Sequence, residues 1–264
     1  MNIFVRELRA NAKSLLIWSG ISILFSITGW SKFSGFYGNP ELLSVLDSMP
    51  PALLSALNMN AFNLTTATGF FGIMVTYYGL ILSVAAAMWG SDIISKEERD
   101  RTVEFALTLP VTRGRLVRAK TAAAAVNSVV LLLVTWGITL ANAQKFSPDS
   151  GFYRFVALST LGFLLMQMIF VALGVFLGCA LKRHKRASSA AVSVILGTYF
   201  ASVLSGLSDD LAFVRYVSPF KYYDPVLILR ESRLEITFVL LSVVIVVVCM
   251  VGAHISYTKR DLYI

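Results

Sequence analysis

Long apolar runs and short charged connections alternate along this chain. Six runs contain no Asp, Glu, Lys or Arg: 14–31, 67–91, 121–143, 155–181, 187–208 and 236–258. Each is close to the ~20 residues that cross a hydrocarbon core about 30 Å thick. A core helix of a soluble protein is usually shorter and carries polar positions at helical spacing. Lipid offers the backbone no hydrogen-bond partners, so a span must be a helix or part of a closed barrel. These runs are continuous rather than alternating, which selects helices. All seven prolines (Pro40, Pro50, Pro51, Pro110, Pro148, Pro219, Pro225) fall outside the runs, as expected of a residue that removes a donor and marks helix ends. The pattern predicts an all-α membrane protein: one domain of six transmembrane helices over residues 1–264.

The connections differ in kind. In residues 1–13, Phe4, Leu8 and Ala12 share one side of a helical wheel, and Arg6, Arg9 and Lys13 the other. That pattern predicts an N-terminal helix lying in the interface before the first span, and it is compatible with a tail that only carries topology charges. Segment 32–66 holds two apolar pieces, 41–49 and 52–59, split by Pro50-Pro51. Both are too short to span and read as interfacial or re-entrant helices before the second span. The short 145–151 connection makes the third and fourth spans an antiparallel pair. Segment 209–235 contains an aromatic-rich stretch between Pro219 and Pro225, then the apolar Val226–Leu229. This too predicts interfacial or re-entrant structure, before the sixth span.

Composition narrows the class. With 56 % hydrophobic and 14 % charged residues, the chain is not disordered and does not read as a soluble domain. If both termini are cytoplasmic, sixteen Lys and Arg fall on the inner side and seven on the outer, while acids divide seven to eight. A cationic bias without an acidic one is the positive-inside pattern, here of a multi-pass plasma-membrane protein. The net charge of +8 is then mainly a topology signal. Its scatter over four short inner segments argues against a nucleic-acid partner. Cys179 and Cys249 lie within spans and read as small apolar residues, with no disulfide or metal spacing. His184 and His254 are isolated. The first run ends at Gly29-Trp30-Ser31-Lys32 without a small-x-small cleavage site, so it reads as a retained helix.

The densest charged region is the second inner connection, from Ser95 through Lys96, Glu97, Glu98, Arg99, Asp100 and Arg101 to Pro110. Ser95 and Glu98 have capping-box spacing, and acids crowd the first turn, where the helix dipole favours them. Glu97 and Arg101 stand at i,i+4. Val103, Ala106 and Leu107 share a face, and Pro110 closes the segment. The expectation is a short amphipathic helix at the inner surface, followed by Arg113, Arg115, Arg118 and Lys120, which reach toward head groups. The plain alternative is a solvated loop obeying the charge rule, although that needs neither four acids nor a cap.

Glu97, Glu98, Arg99, Thr102, Val103, Glu104, Leu107, Leu109, Pro110, Val111, Thr112, Arg113 and Lys120 together resemble the coupling segment of ABC type-2 exporter permeases. Ser218-Pro219-Phe220 and the terminal Lys259-Arg260-Asp261-Leu262 resemble that family as well, while Arg101 stands where the family often has Gly. The resemblance implies a transport subunit that pairs with a second permease copy or paralogue and with separate ATPase subunits. It implies that the 95–110 helix sits in a groove of the ATPase, with Ser95, Glu97, Glu98, Arg99, Thr102, Val103, Glu104, Leu107, Leu109, Pro110 and Arg113 as coupling residues. It also implies ATP and magnesium on the partner, and alternating access driven by closure of the ATPase dimer. The sequence holds no G-x-x-x-x-G-K-[ST] phosphate loop and no G-x-S-x-G. No catalytic residue, metal or cofactor is therefore expected on this chain.

Polar residues inside spans mark pathways or helix contacts. Asn127 and Gln167 read as either. Phe70, Phe71, Tyr77 and Tyr78 read as packing or as the lining of an apolar path for a hydrophobic or amphiphilic substrate. Gly174 and Gly178 form a G-x-x-x-G that allows close helix approach, within one subunit or between two. No acid or lysine is expected at mid-span. A rival class, a non-transport membrane anchor or immunity protein binding a partner through the same loop, would show the same loop chemistry.

Overall fold

The computed structural model describes residues 3–39, 48, 50, 54, 62–99, 112–181, 184–206, 211 and 213–258. Its helices are α1 (Ile3–Phe33), α2 (Ala67–Arg99), α3 (Arg113–Ala143), α4 (Ser150–Ala180), α5 (His184–Leu204), α6 (Val214–Val217), α7 (Pro219–Tyr222), α8 (Pro225–Glu231) and α9 (Ile236–Thr258), with a 3-10 turn at Gln144–Phe146. Six of these, α1–α5 and α9, are long and apolar enough to cross a membrane. Apart from residues 48 and 54, the pieces 41–49 and 52–59 lie outside the described residues, as do the whole connection 100–111 and the chain end 259–264.

Two sequence expectations need correction. The N-terminal interfacial helix and the first span are one uninterrupted helix, α1. Nothing between Arg9 and Leu15 breaks a helix, so the basic segment simply continues it. Likewise, α2 runs through Ser95 to Arg99. Ser95 is thus interior to a helix rather than the N-cap of a new one, because a cap requires non-helical backbone at that residue. In both cases charged residues of good helix propensity extend the apolar run.

The centre of the bundle is the α2–α4 pair. The two helices run side by side in the same direction, with their backbones in contact through glycine. A Cβ on Gly90 would meet the Val171 carbonyl oxygen at 2.4 Å, and one on Gly174 the Ala87 oxygen at 2.5 Å. A Cβ on Gly178 would stand 2.9 Å from the Ser91 oxygen. The G-x-x-x-G of α4 therefore serves an approach within this subunit. α1 packs chiefly on α3, where Ser22 and Thr135 share a 2.6 Å hydrogen bond. α9 packs chiefly on α4.

Aromatic rings close the end of the bundle where α1 finishes and α2 begins. Phe33 stacks on Phe70 at 4.7 Å, Trp30 on Phe146 at 5.8 Å, and Phe71 meets Phe155 edge-on at 5.4 Å. The turn between α3 and α4 reverses through Ser147, whose φ of 45° is left-handed. Asp149 then caps α4 by accepting from the Phe152 amide at 3.2 Å, and it also accepts from Thr68 Oγ1 at 3.1 Å. Asp149→Ala removes both bonds. Its expected effect is a loss of about 1 kcal/mol of stability, read as a lower midpoint in thermal unfolding of the detergent-solubilised protein.

The connection before α9 does not lie flat. α6–α8 fold back between the long helices. Ser218 Oγ donates to the Thr198 carbonyl at 2.8 Å, and the Tyr223 hydroxyl shares a 2.7 Å hydrogen bond with Ser242 Oγ. Thr198 and Ser242 each lie six residues inside their helix ends, a depth of about 9 Å at 1.5 Å per residue. Phe220 reaches further, to rings of Tyr199 and Phe170 at 5.4 and 5.6 Å. Tyr223 rests against Gly162, where an added Cβ would meet its Cβ at 3.0 Å.

Candidate functional site

Two places gather polar chemistry. The first is the root of the connection between α2 and α3. Glu7, on α1, is 2 % exposed, and its carboxylate faces Lys120 at 3.5 Å and Lys96 at 3.6 Å. Arg6 reaches the same carboxylate at 3.1 Å. Lys120 is 1 % exposed, and its Nζ also donates to the Ile93 carbonyl at 2.6 Å. Arg113 Nη1 donates to the Tyr257 and Thr258 carbonyls at 3.4 and 3.3 Å, tying the start of α3 to the end of α9. Chain entry into and exit from 100–111 are therefore held together by α1, α2, α3 and α9.

Of the expected coupling residues, only Arg113 has a described side chain. Ser95, Glu97, Glu98 and Arg99 form the last turn of α2, where only the backbone is described. Thr102, Val103, Glu104, Leu107, Leu109 and Pro110 lie outside the described residues. Sequence reasoning missed Glu7. Its signal was present, since Phe4, Glu7, Leu8 and Asn11 follow the i, i+3, i+4, i+7 stripe of a buried face, and Glu7 and Asn11 are both buried.

The second place is a cleft beneath α7 and α8. It is walled by Val75, Tyr77, Ser159, Phe163, Met166 and Tyr199 of the long helices and by Phe220, Lys221, Tyr223 and Asp224 of the folded-back connection. Its volume of ≈ 50 Å³ is enough for one or two waters. Lys221 and Asp224 face each other at 3.5 Å. Asp224 also caps α8, its Oδ1 accepting from the Val226 amide at 2.9 Å. These two charges belong to a connection in the sequence, yet the fold carries them in among the spans.

Among the residues read as a substrate path, only Tyr77 lines this cleft. Phe70 packs in the aromatic cluster with Trp30 and Phe33. Phe71 lies between Phe152 and Phe155, and Tyr78 meets Phe25 edge-on at 5.4 Å. Asn127 Nδ2 and both polar atoms of Gln167 are buried without a hydrogen-bond partner among the described residues.

The arrangement has the parts of a permease: a helical bundle, a cleft among the spans with charge at its mouth, and a braced root beneath the connection between α2 and α3. No curated protein matches the sequence significantly. The model of the ABC-2 family transporter protein family matches residues 1–262, almost the entire 264-residue chain. The chain therefore belongs to the ABC-2 transporter family, as a membrane-embedded permease.

Proposed function

We propose that this chain is the transmembrane subunit of an ATP-driven exporter in the plasma membrane, moving a hydrophobic or amphiphilic substrate. A separate ATPase, holding ATP and magnesium, docks at the 95–110 segment, and a second permease copy or paralogue completes the pathway. The observation that carries this reading is the path of α2. Two-thirds (67 %) of its apolar window is buried, against 17 % for α1 and for α9. The helix that ends in the acidic inner segment is therefore the one at the heart of the bundle. A force applied beyond Arg99 enters the molecule through a 33-residue rod, about 50 Å long, seated along α4.

The test is purification of the intact assembly, with ATP-dependent transport measured in proteoliposomes. Glu104→Arg should leave membrane insertion unchanged and weaken docking by about 2 kcal/mol, roughly 30-fold. Transport should fall with it. Full transport by this variant, or an assembly without an ATPase, would overturn the reading.

A further inference from the structure

Lys221 and Asp224 line two spaces at once. One is the inner cleft; the other is an outer pocket of ≈ 340 Å³ shared with Ser205, Arg215, Val226 and Leu227. Their ion pair borders both. It is loose: the 3.5 Å contact is the only hydrogen bond the Lys221 ammonium makes among the described residues. Arg215 is already engaged, paired with Glu235 and lying over the Phe238 ring at 4.9 Å. Both members of the Lys221–Asp224 pair are largely buried, 19 % and 15 % exposed, so neither tolerates losing its counter-charge. A singly charged ligand that parted them would leave one charge uncompensated. A ligand carrying both signs would satisfy each. Beside the pair, Val226 and Leu227 of the larger pocket offer an apolar surface for a chain.

We propose that Lys221 and Asp224 form a headgroup site for a zwitterionic amphiphile. Lys221 takes the anionic group, Asp224 takes the cationic group, and the apolar tail leaves along the Val226 and Leu227 side of the larger pocket. This names a substrate class for the transport reading and rests on it.

Binding by the full chain in non-ionic detergent tests the site without the ATPase. Three spin-labelled single-chain probes of equal chain length are compared: a phosphocholine, an alkyl phosphate and an alkyl trimethylammonium. Wild type should bind the phosphocholine at least about tenfold more tightly than the other two. Lys221→Met should shift preference to the cation. Asp224→Asn, which keeps the α8 cap, should shift it to the anion. The double variant should lose charge discrimination while still binding a neutral chain. A two-chain phosphocholine, run alongside, distinguishes bilayer lipid from a free single-chain ligand, and tighter binding of either upholds the site. Equal affinity for all headgroups in wild type, or single variants that fold and keep the wild-type preference, would overturn it. ATP-driven transport that persists without headgroup discrimination sinks this site alone. Discrimination without ATP-driven transport sinks the transport reading instead.

Discussion

Gly174→Val is expected to abolish the folded protein, so that no monodisperse species survives solubilisation. A Cβ at this position would lie 2.5 Å from the Ala87 oxygen, 2.9 Å from the Ser91 nitrogen and 3.1 Å from the Gly90 Cα. All three are backbone atoms of α2, and none can rotate away. The helices must separate, and the loss of their close packing together with overpacking should cost about 3 kcal/mol or more. Lipid cannot compensate, because association between spans rests on such packing rather than on a hydrophobic drive. Gly137 is the control. A Cβ there meets nothing within 4 Å, so Gly137→Ala should leave stability unchanged or raise it by up to ~1 kcal/mol through helix propensity. Size-exclusion profiles and thermal midpoints of the two variants decide the matter, and a well-behaved Gly174→Val protein would refute the packing described for α2 and α4.

The second large effect is expected at Glu7. Glu7→Gln keeps the volume and removes a counter-charge shared by Lys120 and Lys96. Breaking a buried pair from one side typically costs about 3–5 kcal/mol, and the low exposure of Glu7 and Lys120 puts this pair in that class. The Lys96 contact is partly solvated, at 22 % exposure, and adds less. Lys120→Met should also destabilise. The double variant should lose less than the sum of the singles, since the interaction between the two groups is lost only once. Thermal unfolding of the three proteins supplies the cycle, and strictly additive losses would show that the two groups do not act as a pair.

The spans were legible in the sequence because hydropathy sums over many residues and no single one decides it. Helix ends were less so. Lys96–Arg99 and Arg113–Lys120 read as connection, yet they contain helix formers and only one glycine, Gly114, so the helices continue through them. Pairing between distant residues left still less trace. Glu7 reads as one topology charge among several until the fold brings α2 and α3 to it. Lys221 and Asp224 read as loop charges because a linear hydropathy profile cannot register a connection that turns back inward. Gly174 and Gly178 were visible as a contact surface, but the α2 residues that meet them, Gly90 and Ser91, become apparent only in three dimensions. The coupling residues from Thr102 to Pro110 rest on sequence resemblance alone.

The pairing of α1 with α3 also orders the making of the protein. Ser22 and Thr135, which join them, are 113 residues apart, and at roughly 5–20 residues per second the ribosome needs about 6–23 s to travel from one to the other. During that interval the first helix has inserted but its chief neighbour does not yet exist. Its exposed Leu16, Ile17, Leu24 and Ile27 suit it to wait among acyl chains or insertase surfaces. Biogenesis of this subunit is therefore a delayed docking: the oldest helix is held in reserve until the third emerges.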